Sequence, residues 1–192
     1  LIFVMVRFIF IIFVCFFIAN TGNAQFFKAL QPDDSFSDSL NKIVLDYKNN
    51  FHSLEKNQLQ SGEETEVYRS KTCLPDARHC SVTQYHSAID TTASWQAVMY
   101  DGENYKEALK LYKNTFSLVK KSAIAGIDKS NVYFKGKLEN ISESIGFAVS
   151  SLRLITGNPQ YSNLCAEVEL TQNYSGWQVH LSLMSKKADT EE

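Results

Sequence analysis

Apolar residues recur along this chain with two different periods, and the switch between them marks out its elements. Phe36, Leu40, Ile43, Val44, Tyr47 and Phe51 follow one another at helical spacing, which places their side chains on one face of a helix. Ser35, with Asp38 three residues on, reads as a capping pair, and the pattern gives out near Asn49-Asn50. A stronger stripe lies in "DGENYKEALKLYKNTFSLVKKS", where Tyr105, Ala108, Leu109, Tyr112, Phe116 and Val119 share a face. Glu103 and Glu107 stand at its start and Lys120 and Lys121 at its end, the arrangement a helix dipole favours. Each helix has one wet face, so each is expected to lie on something flat.

The flat partner is written in period-two alternation. Strands are predicted at 66–73, 80–86, 94–100, 132–139, 147–154, 164–171 and 177–185, with a weaker one near 52–59. Turn residues separate them, among them Pro75-Asp76, Gly102, Gly157-Asn158-Pro159 and the stretch from Gln172 to Gly176. Runs of neighbouring strands on short turns imply antiparallel pairing. The expected fold is therefore α+β: a two-layer domain with a mainly antiparallel sheet of about seven strands and both amphipathic helices on one face. Within the last hairpin, facing Trp177, Val179, Leu181 and Leu183 to the core pairs Leu170 with Trp177. That register sets Glu167 opposite His180 and Cys165 opposite Ser182 on the other face.

The opening of the chain departs from both periods. "LIFVMVRFIFIIFVCFFIANTGNAQ" has one basic residue, Arg7, then an apolar run from Phe8 to Ala19, then small residues Gly22 and Ala24. This is the layout of a signal peptide over residues 1–24, removed before Gln25. A retained membrane anchor is the alternative, but the run from Phe8 is shorter than the ~20 apolar residues a bilayer span needs. Cys15 lies between Val14 and Phe16, without the small neighbours of a lipid-attachment cysteine. The organisation expected is a leader at 1–24, a flexible segment at 25–34, one domain at 35–185 and a disordered acidic tail at 186–192. An exported protein, periplasmic or secreted, follows from the leader, with no membrane association once it is cleaved.

Charge narrows the partners. The formal net charge is −2, from 19 basic and 21 acidic residues spread evenly along the chain. No basic block is present, so nucleic acid is a poor candidate partner.

Chemistry concentrates in "CLPDARHC", Cys73 to Cys80, followed by His86. Cys73, His79, Cys80 and His86 are the right residue types for tetrahedral zinc. Their spacing argues against it, because His79 and Cys80 are neighbours and neighbours in a strand point to opposite faces. The preferred reading is a disulfide: a turn at Pro75-Asp76-Ala77-Arg78 brings Cys73 opposite Cys80, and closing so short a loop contributes roughly 2–3 kcal/mol in the chain-entropy model. Cys165 stays open as an alternative partner for either cysteine, since loss of the leader leaves three of the four cysteines. Cys165 and His180 as nucleophile and base make a weaker proposal, because Glu167 and Glu169 raise a neighbouring thiol's pKa. Glu167 and His180 read instead as a surface pair.

No catalytic residue, metal site or cofactor is assigned from the sequence. Asp33-Asp34 and the acidic run Glu63 to Glu66 lack the ligand spacing of a calcium loop. Asn140-Ile-Ser142 and Asn173-Tyr-Ser175 match the glycosylation sequon. Tyr68, Tyr85, Trp95, Tyr100 and Trp177 line either a ligand groove or, more ordinarily for strand aromatics, the sheet's own packing.

The run "SWQAVMYDGENYKEALKLYKNTFSLVKK", with "VYRSKTCLPDARHCSV" before it and "WQVHLSLMS" near the end, resembles small secreted or periplasmic proteins of Bacteroidetes bacteria. The resemblance implies a bacterial, exported α+β domain and transfers no activity. The functional expectation is a non-enzymatic binding or interaction domain of the cell envelope, taking a protein, peptide or small ligand on the sheet face or edge the helices leave free. The alternative is a small secreted hydrolase or thiol-redox protein.

Overall fold

The structure, a computed structural model, describes residues 31–86 and 92–187. The leader, the segment up to residue 30 and the tail from residue 188 lie outside the described residues. The elements run α1 (Asp34–Asp46), β1 (Glu55–Ser61), β2 (Thr65–Ser70), β3 (His79–Tyr85), β4 (Ala93–Gly102), α2 (Tyr105–Lys121), β5 (Tyr133–Gly136), β6 (Phe147–Ile155), β7 (Leu164–Asn173) and β8 (Gly176–Ser185). Short 3₁₀ turns cover Tyr47–Asn49, His52–Leu54 and Pro159–Tyr161. All eight strands form one sheet in the order β1-β2-β3-β4-β8-β7-β6-β5, antiparallel at every step. A helix leading a four-stranded meander occurs twice, and the two meanders join through their last strands, β4 and β8.

The fold is α+β, as the two periods predict, with eight strands described and not seven. The additional one is β1, the weak candidate, whose start lies three residues later than expected. It is an edge strand, exposed from Lys56 to Ser61, so neither of its faces needs an apolar alternation.

Both helices cover one face. Phe36, Leu40, Ile43 and Val44 of α1 and Ala108, Tyr112, Phe116 and Val119 of α2 join Val82, Trp95, Ala97, Leu152, Val168, Leu170, Leu181 and Leu183 in one buried cluster. The polar atoms this buries are paired. Trp95 Nε1 donates to Ser70 Oγ at 3.0 Å, and the hydroxyls of Tyr112 and Ser150 lie 2.6 Å apart. Among the described residues no buried side-chain polar atom lacks a partner.

Three local expectations change. First, α1 begins one residue before Ser35, because the carboxylate of Asp33 accepts from the Phe36 N–H at 2.6 Å and caps the helix. Second, β2 stops at Ser70 and not at Cys73, since the Lys71 N–H turns away to Leu54 O at 2.7 Å. β5 is likewise shorter than 132–139.

Third, the β7–β8 register is offset by two residues. Leu170 pairs with Val179 and Trp177 with Gln172, which sets Glu169, not Glu167, opposite His180 and Met184 opposite Cys165. A two-residue slip keeps every side chain on its face, so burial alone does not distinguish the registers. The turn does. Asn173 faces Gly176 across the two-residue loop Tyr174-Ser175, and Asn173 Oδ1 accepts from the Ser175 N–H at 2.9 Å. Gly176 has φ +129, and a Cβ there would lie 2.6 Å from Gly102 O, so only glycine serves.

Candidate functional site

The face of the sheet turned away from the helices is the largest feature without a structural duty, and the strand register lays it out in rows. One row reads Arg69, Ser81, Gln96, Ser182, Glu167, Ser151 from β2 to β6. The next reads His79, Val98, His180, Glu169, Val149. A third, on the other side of the first, reads Val67, Thr83, Ser94, Met184, Cys165, Arg153 and Lys135. Across β3, β4 and β8 the face is thus small hydroxyls, an amide, two imidazoles and the apolar Val98 and Met184, flanked by Arg69 on β2 and by Glu167 and Glu169 on β7.

His180 is half-buried within this surface, and its Nε2 lies 3.3 Å from Gln178 Oε1. Burial holds the imidazole's pKa below its ordinary value and His79 adds to that, against the pull of Glu169 and Asp101. A neutral ring here is both donor and acceptor. Glu167 is occupied elsewhere: it accepts from Lys186 Nζ at 2.7 Å and from Ser151 Oγ at 3.0 Å. The pairing of Glu167 with His180 therefore does not occur.

Cys165 lies on this face but is fully covered, 0% exposed. Arg153, directly opposite, spans to the carbonyls of Lys186 and Lys187 at 2.6 Å each, so the chain beyond β8 is tied down beside the thiol. Burial raises the thiol's pKa and Glu167 raises it further. His180 faces Glu169, four residues along β7 from Cys165, or about 13 Å at strand rise. The structure does not bring the two together as nucleophile and base.

Cys73 and Cys80 are disulfide-bonded, with Cα atoms 5.5 Å apart. The turn that joins them is Leu74-Pro75-Asp76-Ala77, one residue earlier than expected, closed by the Ala77 N–H to Leu74 O at 3.3 Å. Asp76 takes the left-handed φ of +62, a conformation that aspartate tolerates better than most residues. Cys80 is buried on the helix side, while its neighbour His79 is exposed on the other face. With both sulfurs committed, the zinc set does not form, and among the described residues no cluster of three potential ligands occurs. His86 Nε2 lies 3.2 Å from Glu66 Oε2.

The strand aromatics are mostly packing. Trp95 and Trp177 are buried, the latter against the Tyr105 ring at 4.7 Å, and the Tyr100 hydroxyl lies within 3.3 Å of Asn104 O and Glu107 Oε2. Sequence reasoning missed a groove on the helix side, where Lys42, Lys48 and Lys71 from three separate segments line one hollow. No signal in the sequence links those positions. Comparison with family models, curated proteins and solved structures finds no match to this chain.

Proposed function

We propose that this chain is a non-enzymatic binding domain of a bacterial cell envelope that receives a protein or peptide partner on the sheet face turned away from the helices. The observation that carries the reading is the composition of that face. Ser81, Gln96 and Ser182 run uncharged across β3, β4 and β8 at its centre, flanked by Arg69 on β2 and by Glu167 and Glu169 on β7; charged residues are depleted in the centre of interaction surfaces. Export is supported by the leader's layout and by the disulfide.

Gln96 and Ser182 are directly opposite on β4 and β8. The test is the variant Gln96→Arg with Ser182→Arg, compared with Lys106→Glu and Lys110→Glu on the wet face of α2. Cross-linking in an envelope fraction is expected to give a partner adduct with the wild type and the helix variant, and none with the sheet variant, at equal thermal stability. The same adducts from all three proteins refute the assignment. Mass spectrometry of the exported chain, with a first residue near Gln25 expected, checks the leader. A thiol-redox role is favoured by one observation, the exposure of Cys73. It requires measurable turnover of a disulfide substrate that disappears in Cys73→Ser.

A further inference from the structure

On the helix side, between α1 and the loop that follows β2, lies a hollow of about 630 Å³ lined by Lys42, Lys48, Lys71, Asp46, Leu45 and Leu54, among others. A second hollow of about 350 Å³ shares Lys42, Leu45 and Thr72 with it, so the two form one groove. We propose that this groove binds a phosphate monoester, its dianionic head held by Lys42, Lys48 and Lys71 and its body lying over Leu45 and Leu54.

The carboxylate in the larger hollow is held in place by its own hydrogen bonds, while the lysines have no acidic partner among the described residues. Asp46 accepts from Asn49 Nδ2 at 3.0 Å through one oxygen and from the Ser53 N–H at 3.1 Å through the other. The C-terminal carbonyls of α1, which would repel an anion, are also taken. Val44 O accepts from the Tyr47 N–H, Leu45 O from the Tyr161 hydroxyl at 3.2 Å, and Asp46 O from the Phe51 N–H at 3.1 Å. Asp38 is the one further carboxylate in the wall, in the smaller hollow.

The lysines are different. The ion pairs among the described residues join His52 to Glu55, His86 to Glu66 and Lys186 to Glu167, and none uses Lys42, Lys48 or Lys71. Lys71 Nζ donates to Ser53 O at 3.1 Å, which fixes its position at the wall and leaves its other hydrogens available. Three ammonium groups against two carboxylates, Asp46 and Asp38, leave the groove with an excess of positive charge in a chain of net charge −2, which suits an oxyanion. The phosphate monoester has two possible sources, a soluble ester or a lipid head group.

The experiment is a two-dimensional NMR titration of the mature protein with glucose 1-phosphate at constant ionic strength, beside co-sedimentation with phosphatidic acid vesicles. Saturable shifts confined to the amides of Ser53, Lys71, Thr72 and neighbours are expected, with about tenfold weaker binding in Lys42→Gln with Lys71→Gln. The control Lys106→Gln with Lys110→Gln keeps wild-type affinity. Sedimentation that depends on Lys42 and Lys71, without binding of the free ester, assigns the lipid source. Neither form of binding, or an equal loss in the control, overturns the proposal.

Discussion

Removing the hydroxyl of Ser150 should cost more than its size suggests, and the excess should vanish when Tyr112 loses its hydroxyl too. Ser150 Oγ lies 2.6 Å from the Tyr112 hydroxyl and accepts from the Glu139 N–H at 2.8 Å. Tyr112 is fully buried under α2, so Ser150→Ala strands a buried hydroxyl, a penalty of about 1–3 kcal/mol. Glu139 is exposed, and water can replace its lost acceptor. Tyr112→Phe removes one bond but leaves Ser150 satisfied by Glu139, at a cost near ~1 kcal/mol. The double variant has no stranded group, so the two costs should fail to add by about 1–2 kcal/mol. Urea unfolding of all four proteins with the disulfide intact, at unchanged m-value, measures the cycle. Additivity within about 0.3 kcal/mol would refute the reasoning. A second readout is alkaline. Burial holds the folded Tyr112 pKa above its ordinary value, so its contribution is complete below about pH 10 and is lost as pH rises through the folded value. Tyr112→Phe should flatten that part of the profile, while Tyr161, raised by burial in the same way, keeps its own.

Three further outcomes are expected. His180 has a folded pKa below its unfolded one, so it contributes stability above about pH 6.5 that is lost on acidification towards the folded value; His180→Gln should lose less over that window, and parallel curves would sink the assignment. Cys165 is buried with a raised pKa, so iodoacetamide should label it in native protein only at the rate of opening, and prompt native labelling would contradict its burial. At Gly136, an added Cβ would collide with the backbone carbonyl of Ser151. Gly136→Ala should therefore detach β5, read as faster amide exchange at Phe134 with the β7–β8 amides unchanged, and unaltered exchange would refute the clash.

The sequence makes visible whatever one face of one element determines. The stripes of α1 and α2 and the alternation of β3, β6 and β8 are legible because each buries mainly one side, whereas β4 is buried on both faces over most of its length. β1 is faint because an edge strand exposed from Lys56 onwards has no side to bury. The β7–β8 register is decided by the backbone of Tyr174-Ser175 and by Gly176, and the apolar pattern is blind to a slip of two. The adjacency of β4 and β8, and with it the row from Ser81 through Gln96 and Ser182 to Glu167, comes from pairing across a long stretch of chain. The lysine groove is illegible for the same reason, since its walls come from α1, the turn after it and the loop after β2.

The position of β8 has a consequence for how the molecule comes into being. The last strand described is also an inner one, with β4 on one flank and β7 on the other. A chain delivered N-terminus first can build β1 to β4 as a local meander, but the ten-residue margin of β4 then stays raw, with Trp95 and Ala97 beside it. Nothing seals that margin until Gly176–Ser185 arrives and zips two half-sheets together from the inside. Folding commitment is thereby deferred until β8 has been delivered, and the interval before it is when the nascent sheet is most exposed to wrong strand partners.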